Sequence, residues 1–109
     1  MTKNILFINS TDREKTIVTL IIDQDQFIKE KENSRKNQPT LPLIVELLQE
    51  HSLELKDIHQ IKVNEGPGSF TGVRVGVSIA NALSYVLHIP VNGKISLNGS
   101  SLVEPVYSA

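Results

Sequence analysis

The chain reads as an α/β layer fold: a mixed β-sheet with two main helices packed on it. Two observations predict this. Short apolar runs and period-two alternation occur in several segments, whereas two longer segments carry apolar residues at helical spacing, and the order is three strands, helix, strand, helix, strand. Hydrophobic residues make up 39% of the chain and aromatic residues 5%, so the core is built from Ile, Leu and Val, as suits a sheet under helices.

Asn4 to Ser10 reads as a strand whose unbroken apolar run predicts burial on both faces in the middle of a sheet. Thr16 to Ile22 is β-branched apart from Leu20, and Gln26 to Glu32 begins apolar and ends charged. With Asp23-Gln24-Asp25 between them they form a hairpin, and Lys29-Glu30-Lys31-Glu32 blunts its outer edge. Thr40 is placed to cap a helix from Leu41 to Ser52, with Pro42 tolerated in the first turn. Leu41, Leu43, Ile44, Val45, Leu47 and Leu48 cover more than half of that helix. Extended chain resumes at Lys56-Asp57-Ile58, and Ile61 and Val63 alternate with polar residues in a strand leading to a glycine turn. A second helix spans about Gly72 to His88 and is ended by Pro90. Val91 to Ile95 reads as a short strand, Asn98-Gly99-Ser100-Ser101 as a turn and Leu102 to Tyr107 as an extended tail.

The 109 residues suffice for one compact domain. Eleven Lys and Arg against twelve Asp and Glu give a net charge of −1, so no general field attracts nucleic acid or an anionic membrane, and any RNA contact is local or made through a partner. The absence of cysteine excludes disulfides and thiolate chemistry. Ile5-Leu6-Phe7-Ile8 is too short for a signal-peptide core or a membrane span, which predicts a soluble, cytoplasmic protein.

Gly66-Pro67-Gly68-Ser69-Phe70-Thr71-Gly72-Val73-Arg74 lies where a strand turns into a helix, a place where amides can cradle phosphate. The spacing fits neither nucleotide fingerprint: Thr71 stands where a third glycine belongs, no Lys follows Gly72, and Pro67 removes one amide. Packing is the other use of these glycines. Gly72, Gly76, Ala80 and Ser84 recur every fourth residue and form a ridge that admits a neighbouring backbone, either of the lobe itself or of a partner. His51, His59 and His88 lack metal-ligand spacing, Ser69 lacks the flanking glycines of a hydrolase elbow, and Asp12, Asp23 and Asp25 sit where turns use them. No catalytic residue, cofactor or metal is assigned.

Ile5 through Thr11, Leu41-Pro42-Leu43-Ile44, and Gly66 through Arg74 with Val75-Gly76 and Ala80 resemble the amino-terminal lobe of bacterial TsaB (YeaZ) proteins. The resemblance runs from about Lys3 to Asn98. It implies an actin-like ATPase (ASKHA, ribonuclease H-like) lobe over residues 1–109, without the second lobe, in a protein that does no chemistry itself. TsaB proteins partner TsaD, which transfers threonylcarbamoyl to the adenosine next to the anticodon of tRNA. The implied contact with a TsaD-like protein, or with a second copy in a homodimer, uses the two helices and touches tRNA only indirectly. The expected interface is Leu41, Ile44, Val45, Leu48, Phe70, Gly72, Val73, Gly76, Val77, Ala80, Leu83 and Ser84, and a charge at Gly76 or Ala80 is expected to break association while leaving the lobe folded. Asn9 stands where members usually carry Asp, and it cannot supply a carboxylate. The alternative readings are a stand-alone lobe binding nucleotide or phosphate at the glycine turn, and a homodimeric remnant without a tRNA role.

Overall fold

The computed structural model describes residues 3–33 and 38–94. Strands β1 (Asn4–Asn9), β2 (Lys15–Ile22) and β3 (Asp25–Glu32) are followed by helix α1 (Thr40–Glu50), strand β4 (Gln60–Val63) and helix α2 (Phe70–Leu87). The sheet order is β3-β2-β1-β4, with β4 parallel to β1 and the other pairs antiparallel. This is the mixed sheet with two helices that the sequence predicts.

Register places the core on one face. Leu6 lies opposite both Leu20 and Ile61, and Ile8 opposite both Val18 and Val63. All six side chains are buried, under Leu43, Ile44, Leu47 and Leu48 of α1 and Val73, Val77 and Ala80 of α2. Helix α1 covers β2 and β3, α2 covers β1 and β4, and the helices meet only over a short stretch. The burial of β1 on both faces is corrected: Asn4, Leu6 and Ile8 are buried, while Ile5, Phe7 and Asn9 on the opposite face are half-buried. An unbroken apolar run cannot tell a doubly covered strand from one covered on a single face.

The hairpin turns at Asp23, which takes a positive φ of 56° while its carboxylate accepts from the Lys3 amide at 2.9 Å. Strand β3 is the sheet edge, as its charges predict, and Lys29 reaches from it to Glu46 and Glu50 of α1. Three local expectations change. Thr40 lies inside α1, not at its cap; Pro39 occupies that position, and the Gln38 side chain accepts from the Thr40 amide at 2.7 Å and from its hydroxyl at 2.6 Å. Residues Leu55–Asp57 form a 3-10 turn, not extended chain, because Glu54 and Asp57 cap each other reciprocally. Val91 makes a single parallel bridge to Ile61, after which Asn92 (φ 48°) and Gly93 (φ 82°) reverse the chain to Lys94. The rest of the predicted strand, the turn Asn98-Gly99-Ser100-Ser101 and the tail Leu102 to Tyr107 lie outside the described residues.

Candidate partner interface

The glycine turn is committed internally. The Ser69 amide donates to the Thr11 carbonyl at 2.9 Å, the Gly66 amide to the Asn64 side chain at 3.1 Å, and the Gly72 amide to Ser69 Oγ at 3.3 Å. Ser69 is thereby the cap of α2, which begins at Phe70, two residues before the predicted start, and its hydroxyl is engaged in that role. A Cβ at Gly68 would stand 2.6 Å from Thr11 Cβ, so this glycine lets the turn lie against the end of β1. Three of the amides of the turn, those of Gly66, Ser69 and Gly72, are thus occupied by the protein itself.

The small-residue ridge of α2 also faces inward. A Cβ at Gly72 would meet the Ser10 carbonyl oxygen at 2.2 Å, and one at Gly76 would meet Ser10 Oγ at 2.1 Å. Ser10 Oγ donates to the Gly72 carbonyl at 2.6 Å, locking strand end to helix. Ser84 is buried, its hydroxyl donating to the Ile89 carbonyl at 2.5 Å. The neighbouring backbone admitted by the ridge is therefore β1 of the same lobe.

This divides the expected interface. Ile44, Leu48, Val73, Gly76, Val77, Ala80 and Ser84 are buried in the lobe and offer nothing to a partner, and Gly72 abuts Ser10. A charge at Gly76 or Ala80 would disrupt the core and cannot serve as a surface test. Leu41 and Val45 remain at the surface, 46% and 38% exposed, and Leu83 is half-buried. The side chain of Phe70 lies outside what is described.

Helix α2 has a second stripe on its outer side. Thr71, Val75, Ser78, Ala82 and Tyr85 follow one another at spacings of four, three, four and three, the 3.5-residue repeat of a helix-packing seam. Arg74, Ile79 and Val86 flank it; Tyr85 is 50% and Val86 69% exposed. Thr71, Arg74, Val75, Ser78 and Ile79 line a shallow groove at the amino-terminal half. Arg74 is the only formally charged residue among the eighteen of α2. Sequence reasoning singled out the small-residue ridge; the alternating four-three spacing, free of glycine, is the sequence feature that marks this outer side.

Among the described residues no group of three or more His, Cys, Asp or Glu side chains could hold a metal, and no helix is long and apolar enough to cross a membrane. At the end of β1, Asn9 accepts from the amide and hydroxyl of Thr11, so its side-chain oxygen shapes the turn.

Residues 28–103 match the family model described as "TsaD: tRNA N6-adenosine threonylcarbamoyltransferase". The chain is 32% identical over 99 residues to the tRNA threonylcarbamoyladenosine biosynthesis protein TsaB of Bacillus subtilis (strain 168), covering 84% of this chain and 42% of that protein. It is 38% identical over 60 residues to the TsaB of Escherichia coli (strain K12), covering 55% of this chain and 26% of the relative. It is 37% identical over 67 residues to the tRNA N6-adenosine threonylcarbamoyltransferase of Syntrophus aciditrophicus (strain SB), covering 61% and 20% respectively. The solved structure of YeaZ from Pseudomonas aeruginosa superposes with a TM-score of 0.75 at 27% identity, over 82% of this chain and 43% of that one. A further structure, described as an uncharacterized protein with similarity to peptidase YEAZ from the same organism, gives 0.75 at 28% identity, over 82% and 41%. The chain thus spans about two fifths of the length of the TsaB relative it matches over most of its own length. With a shared glycine-turn lobe, these matches place the chain in the TsaB (YeaZ) family, related through that lobe to the TsaD transferases.

Proposed function

We propose that this chain is the amino-terminal lobe of a TsaB-type protein and works as a noncatalytic subunit. It would support a TsaD-type enzyme in transferring threonylcarbamoyl to the adenosine next to the anticodon of tRNA, in the cytoplasm. The observation that carries the reading is the outer stripe of α2: Thr71, Val75, Ser78, Ala82 and Tyr85 at helix-packing spacing, with one charge in eighteen residues. A helix already packed on its sheet gains nothing in water from an uncharged outer side that exposes Ala82, Tyr85 and Val86, whereas an interface core is depleted of charge in this way. Leu41 and Val45 of α1 add exposed apolar area.

The chain resembles both TsaB and the TsaD transferases, which favours pairing between related lobes through related helix faces. Self-association would use the same face. The noncatalytic assignment rests on engaged groups: Ser69 caps α2, and Asn9 is neutral and holds the Thr11 turn.

The test is Val86→Glu and Ala82→Glu, followed by light scattering on mixtures with the TsaD-type protein of the same organism. Both variants should keep the far-ultraviolet spectrum of the wild type and lose the complex. An unchanged complex with both variants would refute this docking face. Reconstituted tRNA modification that runs equally well without the chain would refute the functional assignment.

A further inference from the structure

We infer that Asn92 and Gly93 form a site of spontaneous covalent modification, in which the Gly93 amide nitrogen attacks the Asn92 carboxamide, with loss of ammonia, whenever Asn92 releases strand β4. The co-reactant is water and no partner protein takes part, so this chemistry stands or falls apart from the docking face above.

The fold leaves the attacking group open. Asn92 (φ 48°) and Gly93 (φ 82°) are the two central residues of a turn between the bridged Val91 and Lys94, where Asn-Gly is the favoured pair because both positions take the left-handed region. Both residues are exposed. The Gly93 amide makes no hydrogen bond among the described residues, and a Cβ built on Gly93 would meet nothing within 4 Å. Asn92 is also the one described asparagine followed by glycine, so no Cβ on the next residue crowds the approach of its nitrogen.

The group under attack is restrained. Asn92 Oδ1 accepts from the Val63 amide at 2.9 Å, Nδ2 donates to the Val63 carbonyl at 3.0 Å, and the Asn92 amide donates to the Ile61 carbonyl at 2.9 Å. The carboxamide is thereby committed to the edge of β4, and its two bonds to Val63 act as a gate. On release, a bond forms between Gly93 N and Asn92 Cγ, the Cγ–Nδ2 bond breaks, and the Gly93 proton leaves on the departing ammonia. Water then opens the cyclic imide at the side-chain carbonyl to give aspartate, or at the main-chain carbonyl to give isoaspartate. The net change is amide and water to carboxylate and ammonium. Neither product rebuilds the contact: a carboxylate has no donor for the Val63 carbonyl, and isoaspartate adds a methylene to the main chain between Val91 and Lys94. The modification is therefore one-way and unpins the outer edge of β4.

The experiment incubates native protein, the same protein in guanidinium chloride and a synthetic Pro90–Lys94 peptide at mildly alkaline pH. Digestion and mass spectrometry follow, with fragmentation assigning the change from amide to acid. Asn92 should convert in all three, about ten- to a hundredfold more slowly in the native protein, because two hydrogen bonds of ordinary strength must open first. Gly93→Ala should slow conversion in guanidinium chloride as well as in buffer, since the added Cβ crowds the attacking nitrogen. Asn92→Asp, which reproduces one product, should unfold at a lower urea concentration than wild type. Native conversion at the rate of the peptide would show that Val63 holds no gate, and none in the native protein once the peptide has long been consumed would close the site. Asn92→Asp with the midpoint of wild type would mean that the modification leaves β4 pinned. Each of these three results overturns the inference.

Discussion

The contact between α2 and the end of β1 makes a prediction that separates two glycines on one ridge. At Gly76 a new Cβ would meet Ser10 Oγ at 2.1 Å but Ser10 Cβ at 3.4 Å, so the obstruction is one hydroxyl. Gly76→Ala gains about 1 kcal/mol of helix propensity. It also forces the hydroxyl from the Gly72 carbonyl and leaves it buried without a partner, which costs about 1–3 kcal/mol. The net expectation is destabilisation by about 1 kcal/mol. Ser10→Ala alone loses one hydrogen bond, again about 1 kcal/mol. The double variant removes hydroxyl and clash together, so the propensity gain offsets the lost bond and stability returns to within about 0.5 kcal/mol of wild type. The coupling is then about 2 kcal/mol. At Gly72 the obstruction is the Ser10 carbonyl oxygen at 2.2 Å, a backbone atom. Gly72→Ala should cost about 2 kcal/mol or more, and Ser10→Ala should not rescue it. Urea unfolding followed by circular dichroism measures the five variants, including both double variants, against wild type. Equal rescue of both glycine variants by Ser10→Ala would refute the assignment of the two contacts.

Three further outcomes follow from the same geometry. The Asn92 side chain accepts from the Val63 amide at 2.9 Å and donates to its carbonyl at 3.0 Å, standing in for a strand beside β4, so Asn92→Ala should lower stability by about 1–3 kcal/mol in thermal melts, and a change below about 0.5 would show those bonds to be replaceable by water. His88 closes α2 with a φ of 55°, so His88→Gly should stabilise the protein by about 0.5–1 kcal/mol, and a loss of stability would mean the imidazole contributes more than the backbone strain costs. The hydrogen bond to Glu50 raises the Lys29 ammonium above the ordinary value of 10.5, opposed in part by desolvation and helped by the charges of Glu50 and Glu46; the folded state then binds the proton more tightly, so this stabilisation is complete below pH 10.5 and lost as pH rises through the folded value. Wild type should accordingly lose more of its urea midpoint between about pH 9 and about pH 11.5 than Lys29→Met does, and equal losses would remove Lys29 from the account.

What the sequence made legible follows from how each signal arises. Period and order identified the strands and both helices because burial on one side imposes a repeat that survives in a single sequence, as Leu6 and Ile8 or Leu43, Ile44, Leu47 and Leu48 show. Caps were harder, because Thr40 and Ser69 both precede apolar stretches and only the fold shows that Gln38 takes over at one and the Ser69 hydroxyl serves the other. The small-residue ridge that the sequence offered for an interface lies inside the lobe for a more instructive reason. Gly72, Gly76, Ala80 and Ser84 are a sound marker of close approach, but smallness records that something is near and not whether it belongs to the same chain. Here it is Ser10. Charge depletion on the opposite side carries the complementary information, since water at a free surface imposes no cost on lysine or glutamate there. In an 18-residue helix whose inner face is already filled, an outer seam of Thr71, Val75, Ser78, Ala82 and Tyr85 with Arg74 as its only charge is the stronger mark of a partner. A small-residue ridge therefore becomes evidence for association only after the lobe's own sheet has been excluded as the neighbour, and in this chain the sheet occupies it.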